Sequence, residues 1–229
     1  MKRDLKAAVC LVLLMGYSWA IAGSYDDFFI AIKNDDVTGV SQLLSRGFDV
    51  NTLNPEAEHG LLLAIREPSP KVTTMLLSRE KIDVNPRNRN DETPLMLAAI
   101  KGQTALAQQL IDKGADVNKP GWAPLHYAST YGHLELMNLL LEHHAYIDAA
   151  SPNESTPLMM AAMYGNASAV KLLLEAGADP MLRNALGLTA FDFAEKANRS
   201  DSAHILAAFM RARQPKASKD KEPQPKVLE

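Results

Sequence analysis

The sequence predicts an all-α repeat solenoid, in which short helices stack in a row instead of surrounding one central core. One 26-residue pattern occurs six times, and successive copies begin 33, 34, 30, 33 and 33 residues apart. Each copy places apolar residues at helical spacing over two short segments. Two helices of this length cannot bury their apolar faces alone, so neighbouring copies must stack. The copies begin at Asp26, His59, Thr93, Ala123, Thr156 and Thr189.

The third copy shows how the pattern defines two helices. Thr93 stands where a helix N-cap is expected, and Pro94 follows at the first helical position, where its missing N–H costs nothing. Gly102 separates the two helical segments and predicts a tight turn. Gly114 follows the second segment, where positive φ often ends a helix and glycine tolerates it. Each complete copy is therefore predicted to be a helix-turn-helix unit.

The outermost copies differ from the inner ones in ways that suit the ends of a stack. The first places the polar run 33–36 at its inter-helix turn, and the sixth replaces the turn glycine with residues 198–202. Terminal repeats need a polar outer face for solubility. We therefore expect the copies at Asp26 and Thr189 to cap the solenoid.

The best-preserved copies resemble ankyrin repeats. They read Thr93-Pro-Leu-Met-Leu-Ala-Ala, Ala123-Pro-Leu-His-Tyr-Ala and Thr156-Pro-Leu-Met-Met-Ala-Ala, and the first of them ends in Gly114-Ala-Asp-Val-Asn118. The resemblance covers residues 26–213 and is nearest to small exported bacterial ankyrin proteins. It implies about six helix-turn-helix repeats joined by β-hairpin loops. It also implies that a protein partner docks on the concave surface, although members of this family share a fold and not one function.

Residues 1–22 have the three parts of a cleavable signal peptide. A basic head precedes the apolar run 7–15, and Ala20-Ile21-Ala22 follows as a cleavage motif. The run of nine residues is shorter than the roughly 20 that a membrane-spanning helix needs. We therefore predict Gly23 as the first residue of an exported chain that is not inserted in a membrane. Cys10 is the single cysteine and is lost with the peptide, which favours a bacterial periplasm; secretion is the alternative.

The remaining chain divides into a repeat domain, 23–213, and a C-terminal tail, 214–229. The tail alternates lysines with acids and has few apolar residues to bury, so we predict that it is disordered; docking of the tail is the alternative. Removing 1–22 leaves 24 − 3 basic and 27 − 1 acidic residues, a net charge of −5. This charge argues against nucleic acid and anionic membrane partners. We expect a monomer in the absence of its partner.

No group of residues predicts catalysis, a cofactor or a metal. His126 and His133 occupy positions where ankyrin repeats use histidine structurally. His143 and His144 are adjacent, so on a helix their side chains diverge and do not share a metal easily. The chain is therefore predicted not to be an enzyme. A small-ligand or hydrolytic enzyme that uses its acidic and histidine residues is the contrasting hypothesis.

The predicted binding residues follow from the exposed positions that the resemblance implies: the fifth, eighth and ninth of each copy and the residue before it. Aromatic residues and Met gather there, and these types are enriched in interface cores. The alternative for Leu97, Tyr127 and Met160 is that they cover the core between repeats. The candidate residues are Ile100, Lys101, Trp122, Tyr127, Tyr131, Met160, Met163 and Tyr164.

One hairpin loop is short. Only residues 119–122 precede Ala123, whereas the seven residues 86–92 precede Thr93. We expect the short loop to open the groove and to leave Trp122 beside Tyr131.

The function predicted is a periplasmic, non-enzymatic module that protects or supports an enzyme. The alternative is an immunity protein that blocks a toxin acting in the periplasm.

Overall fold

The computed structural model describes residue 23 and residues 25–213, which form twelve helices arranged as six helix-turn-helix repeats. The predicted all-α solenoid is confirmed. The predicted signal peptide and tail lie outside the described residues. The helices are α1 (25–33), α2 (Val37–Ser45), α3 (Gly60–Arg66), α4 (Pro70–Leu77), α5 (Pro94–Lys101), α6 (Thr104–Asp112), α7 (Pro124–Tyr131), α8 (Leu134–Glu142), α9 (Pro157–Met163), α10 (Ala167–Glu175), α11 (Ala190–Lys196) and α12 (Ser200–Arg213).

The helices form two layers. The first helices of successive repeats, α3, α5, α7, α9 and α11, pack against one another, and the second helices form the other layer. The leucine after the Pro or Gly that opens each inner repeat is buried to 1% exposure or less, and such a side chain contributes about 1.5–3 kcal/mol through burial. These leucines are Leu61, Leu95, Leu125 and Leu158. The core is therefore one continuous row between the layers.

The first helices begin with the predicted caps. The Thr93 hydroxyl accepts a hydrogen bond from the backbone N–H of Met96 (3.3 Å), and Thr156 does the same for Met159 (3.4 Å). Ala123 has no hydroxyl, so its repeat lacks this bond. Gly102 and Gly114 adopt positive φ, 65° and 87°, as the turn and the helix end require.

The polar run in the first repeat supplies caps. The Asp36 carboxylate accepts from the backbone N–H groups of Thr38 and Gly39 at the start of α2, both at 3.0 Å. Asp35 accepts from the Val72 N–H of α4 (2.8 Å) and so ties the first repeat to the second. These side chains satisfy helix N–H groups that would otherwise lack partners.

Five loops, here called fingers, connect the repeats: 52–58, 86–92, 119–122, 149–155 and 182–188. In three of them an asparagine side chain closes the turn, and in the first of these Asn54 Oδ1 accepts from the Glu58 N–H at 2.7 Å. Asn88 Oδ1 accepts from the Glu92 N–H, and Asn184 Oδ1 from the Leu188 N–H, both at 3.0 Å. The described residues contain one isolated β-bridge, between Leu53 and His59. Backbone hydrogen bonds close the same loops, for example from the Asn88 N–H to the Glu92 carbonyl (3.1 Å), so these fingers are tight turns and not extended strand pairs.

A ladder of asparagines links consecutive repeats. Each donates from Nδ2 to a backbone carbonyl one repeat further on, and its Oδ1 accepts from a backbone N–H in that repeat. The donated bonds join Asn51 to Lys81 (2.8 Å), Asn85 to Gly114 (3.1 Å) and Asn118 to His144 (2.8 Å). Asp148 takes this position in the fourth link and only accepts, from the Asp179 N–H (3.1 Å).

Candidate protein-binding surface

Two accessible tyrosines lie on successive repeats, at positions predicted to face the concave side. Tyr131 is the last residue of α7, and Tyr164 follows the last residue of α9. Their exposed fractions are 55% and 53%. Both lie at the same place in their repeats. They are the most exposed of the aromatic and apolar candidate residues. Tyr131 is held by stacking on His133, with ring centroids 5.9 Å apart.

Trp122 and Tyr127 are half-buried. Their ring centroids lie 6.2 Å apart, and Trp122 meets the His126 ring edge-on at 5.3 Å. Trp122 therefore packs against its own repeat, whereas we expected it beside Tyr131. The reason is local: Trp122 lies two residues before α7, and its ring neighbours are near the start of that helix, whereas Tyr131 is its last residue and stacks on His133.

The remaining apolar candidates are less accessible. Leu97 and Met160 are only 7% and 8% exposed, so both mainly cover the core, as the alternative interpretation held. Ile100 and Met163 are half-buried. The structure therefore leaves only part of the candidate set open to a partner.

Lys101 has a structural task that the sequence did not reveal. Its ammonium group donates to the carbonyls of Ile65 (2.7 Å) and Arg66 (2.8 Å) at the end of α3. His133 Nε2 similarly donates to the Ile100 carbonyl (3.3 Å) at the end of α5. Cationic groups stabilise helix C-termini, where carbonyls lack partners and the helix dipole is negative. Lys101 is thus occupied by the preceding repeat and is not a free cation.

The short finger is bridged by a buried lysine. Lys119 forms an ion pair with Asp91 of the preceding finger and donates to the Pro120 carbonyl (3.2 Å). The hydrogen bond from Lys119 lowers the pKa of Asp91, and Arg87, 3.1 Å from Asp91, adds to this effect. The loop is shortened as expected, but Lys119 ties its base to the neighbouring finger.

The buried histidines serve the fold. His126 Nδ1 accepts from the Ala123 N–H (3.2 Å), and Nε2 donates to the Ser155 carbonyl (3.0 Å), so the ring is neutral and joins two repeats. Burial lowers the pKa of His126 and also that of His59. Within residues 23 and 25–213, no three His, Cys, Asp or Glu residues are grouped as a metal site would need. Over the same range, no helix has the length and apolar character needed to cross a bilayer.

Two surface features were missed by the sequence reasoning. Leu186 is 79% exposed at the tip of the last finger. The sequence signal for it is an apolar residue inside a turn, between Asn184 and Gly187. A cleft of about 620 Å³ lies between the inter-helix turns of the second and third repeats. It depends on packing between helices far apart in the chain, so no local motif signals it. Its apolar lining includes Ile65, Pro68, Pro70 and Leu106.

Stacked helix-turn-helix repeats with a partly aromatic concave face define a solenoid of the protein-interaction class. The ankyrin repeat family model matches three times, over residues 28–120, 61–151 and 125–215, and the chain belongs to this family. It is 31% identical over 164 residues to human transient receptor potential cation channel subfamily A member 1, covering 66% of this chain and 15% of that protein. It is 38% identical over 125 residues to mouse ankyrin repeat and SAM domain-containing protein 6, covering 51% and 14%.

A solved structure also resembles the chain. It is that of Bd0816 predatory endopeptidase from Bdellovibrio bacteriovorus in complex with immunity protein Bd3460. The match has a TM-score of 0.70 and 26% identity, and it covers 80% of this chain and 97% of the matched one. The similarity therefore extends over a whole chain of that structure, whereas the two curated relatives match only over a small part of their length.

Proposed function

We propose that this chain is a non-enzymatic module that binds a partner protein through its concave surface, with Tyr131 and Tyr164 as the main anchors. The observation that carries the proposal is that both tyrosine residues are more than half exposed at equivalent places in neighbouring repeats. Tyrosine combines a large apolar area with a polar hydroxyl and is enriched among residues that dominate binding energy.

The proposed partner is an exported enzyme, and the proposed location is the periplasm. Support for the location comes from the signal-peptide pattern of residues 1–22 and from the single cysteine within it. Support for an enzyme partner comes from the similarity to a chain in a complex of a peptidase with an immunity protein. In the first form of the proposal, the chain protects or supports its enzyme.

The second form is an immunity protein that neutralises a toxin acting in the periplasm. The same structural similarity favours it, because the matched complex contains an immunity protein. The two forms differ in their effect on the partner. A helper leaves the enzyme active when present in equimolar amount, whereas an immunity protein abolishes its activity.

Binding is tested with the exported chain as bait in a periplasmic extract, followed by affinity measurement with the purified partner. We expect Tyr131→Ala and Tyr164→Ala each to weaken binding by about 2 kcal/mol, roughly 30-fold. Tyr146→Ala is the matched control, since Tyr146 is 68% exposed but lies in the loop after α8, outside the concave surface.

Stability measurements separate binding from folding. The two concave tyrosine variants should unfold near the unmodified protein, because exposed side chains contribute little. Leu110→Ala, which truncates a fully buried side chain of α6, should cost about 2–5 kcal/mol. If the tyrosine variants bind as tightly as the Tyr146 control, the concave surface is not the binding site.

A further inference from the structure

A second feature of the concave side is the surface between the finger 86–92 and the finger 149–155. The intervening finger, 119–122, is three residues shorter than the finger 86–92. Trp122, at its end, is half-buried and keeps part of its ring open to solvent. The space that a longer finger would fill is therefore bordered by an aromatic ring.

Register places a carboxylate beside this ring. Glu92 and Trp122 each precede the opening residue of consecutive repeats, Thr93 and Ala123, so the register puts them at equivalent places in neighbouring repeats. Asn88 Nδ2 donates to one Glu92 oxygen at 2.7 Å, and Glu92 is half-buried. The ion pairs found within residues 25–213 do not include Glu92.

Two cations of the neighbouring fingers are already engaged with another acid. Lys119 and Arg87 both pair with Asp91, so neither forms an ion pair with Glu92. Tyr127 completes the group on the other side, with its ring 6.2 Å from that of Trp122. Burial raises the pKa of the Tyr127 hydroxyl, and the charge of Glu92 raises it further, which is consistent with a carboxylate close to the phenol.

We propose that Glu92, Trp122 and Tyr127 form a site for an arginine side chain of the partner protein. The inference rests on the proposed function, since it assigns chemistry to the same concave surface. A planar guanidinium stacks on aromatic faces and donates two parallel hydrogen bonds to a carboxylate, which suits two rings and an acid better than a lysine ammonium does. The formal charge of −3 on the whole chain adds long-range attraction for a basic partner surface.

The test needs no knowledge of the partner. N-acetyl-arginine amide is titrated into the exported form, residues 23–229, in which Trp122 is the single tryptophan because Trp19 is removed. We expect a saturable change in Trp122 fluorescence and in its indole N–H resonance, with an affinity that falls as salt is added. N-acetyl-citrulline amide, which is neutral and of nearly the same shape, should produce no saturable change.

Two variants locate the site. Glu92→Gln should weaken binding of the arginine amide about fivefold or more, because the charge-assisted bonds are lost. Glu142→Gln alters an exposed glutamate of α8, in the layer of second helices, and should leave binding unchanged; thermal unfolding shows that both variants are folded. Equal binding of the citrulline compound, no effect of Glu92→Gln, or no saturable change at all would overturn the inference.

Failure of this inference is distinguishable from failure of the proposed function. If arginine amide does not bind but Tyr131→Ala still weakens the partner, the concave surface is correct and the arginine site is wrong. If the partner is indifferent to Tyr131→Ala and Tyr164→Ala, the proposed function is wrong whatever the titration shows.

Discussion

At the scale of single residues, His126 connects two repeats through both ring nitrogens, and this geometry requires the neutral form. Burial lowers its pKa below the ordinary value of 6.5, whereas the unfolded chain keeps that value. Just below pH 6.5 the unfolded state therefore binds a proton that the folded state does not. The free energy of unfolding consequently decreases as the pH decreases. His59 acts in the same direction, because its pKa is also lowered by burial.

We therefore expect the free energy of unfolding to decrease between pH 7 and pH 5 and to decrease less in His126→Gln. Glutamine can still donate to the Ser155 carbonyl but does not titrate. Urea denaturation at both pH values measures the difference. His204→Gln, a change at an exposed histidine of α12, is the control and should keep the slope of the unmodified protein.

Asp148 is the residue that departs from the asparagine ladder. Burial raises its pKa, and the negative charge of Asp179 acts in the same direction. A raised pKa means that the folded state favours the protonated acid, so this stabilisation is lost as pH rises through the pKa. At neutral pH the ionised Asp148 cannot donate a hydrogen bond. Asn118, at the equivalent position one repeat earlier, donates one to the His144 carbonyl at 2.8 Å.

Asp148→Asn should stabilise the protein by about 1 kcal/mol at pH 7, since the amide regains a donor and removes the charge. The gain should shrink in acid, where Asp148 becomes protonated. Denaturant unfolding at two pH values measures both effects. Asp116→Asn changes an exposed acid near the same ladder and should have little effect. A destabilised Asp148→Asn variant would contradict this account.

At the scale of helices, the opening residue of each repeat determines how well the first helix is capped. Thr93 and Thr156 accept a backbone hydrogen bond, whereas Ala123 cannot. All three residues are 2–3% exposed, so the three positions are equally buried. Two of them hold a threonine. The fourth repeat therefore begins its first helix without a cap that its neighbours have.

We expect Thr156→Ala to lower the free energy of unfolding by about 1 kcal/mol and Ala123→Thr to raise it by a similar amount. The pair is its own control, because each variant makes the reverse exchange at an equivalent position. Thermal and urea unfolding provide the measurement. Changes of the same sign in both variants would show that the hydroxyl does not determine stability there.

At the scale of the whole molecule, the last repeat closes the stack. Helix α11 packs on α9, and α12 packs on α10. Leu206 of α12 is fully buried, and Arg213 donates to the Ala178 carbonyl at 3.2 Å. The two helices thus cover the apolar surface of the fifth repeat.

A chain that ends at Arg213 should melt at nearly the same temperature as the full chain, because residues 214–229 contain few apolar side chains. A chain that ends at Leu188 should aggregate or lose much of its stability, since it exposes the face of the fifth repeat. Calorimetry and light scattering compare the two. Equal effects of the two truncations would place the end of the solenoid elsewhere.

The sequence was sufficient to predict the repeat architecture, the six repeat starts and the helix boundaries near Thr93, Gly102 and Gly114. These features depend on contacts within a few residues or on a pattern that recurs at a fixed interval. The concave location of the candidate residues stays a prediction, because it rests on the face that the resemblance assigns to each repeat position.

Only the tertiary structure decided which candidates are open to a partner. Lys101 reaches a helix end about 35 residues earlier, Lys119 pairs with Asp91, and Met160 is 8% exposed. These outcomes depend on the contacts that long side chains make with neighbouring repeats. The sequence of one repeat does not show which backbone carbonyls of the next repeat its side chains will reach. The period determines the stack, whereas contacts across the repeats determine the surface that it presents.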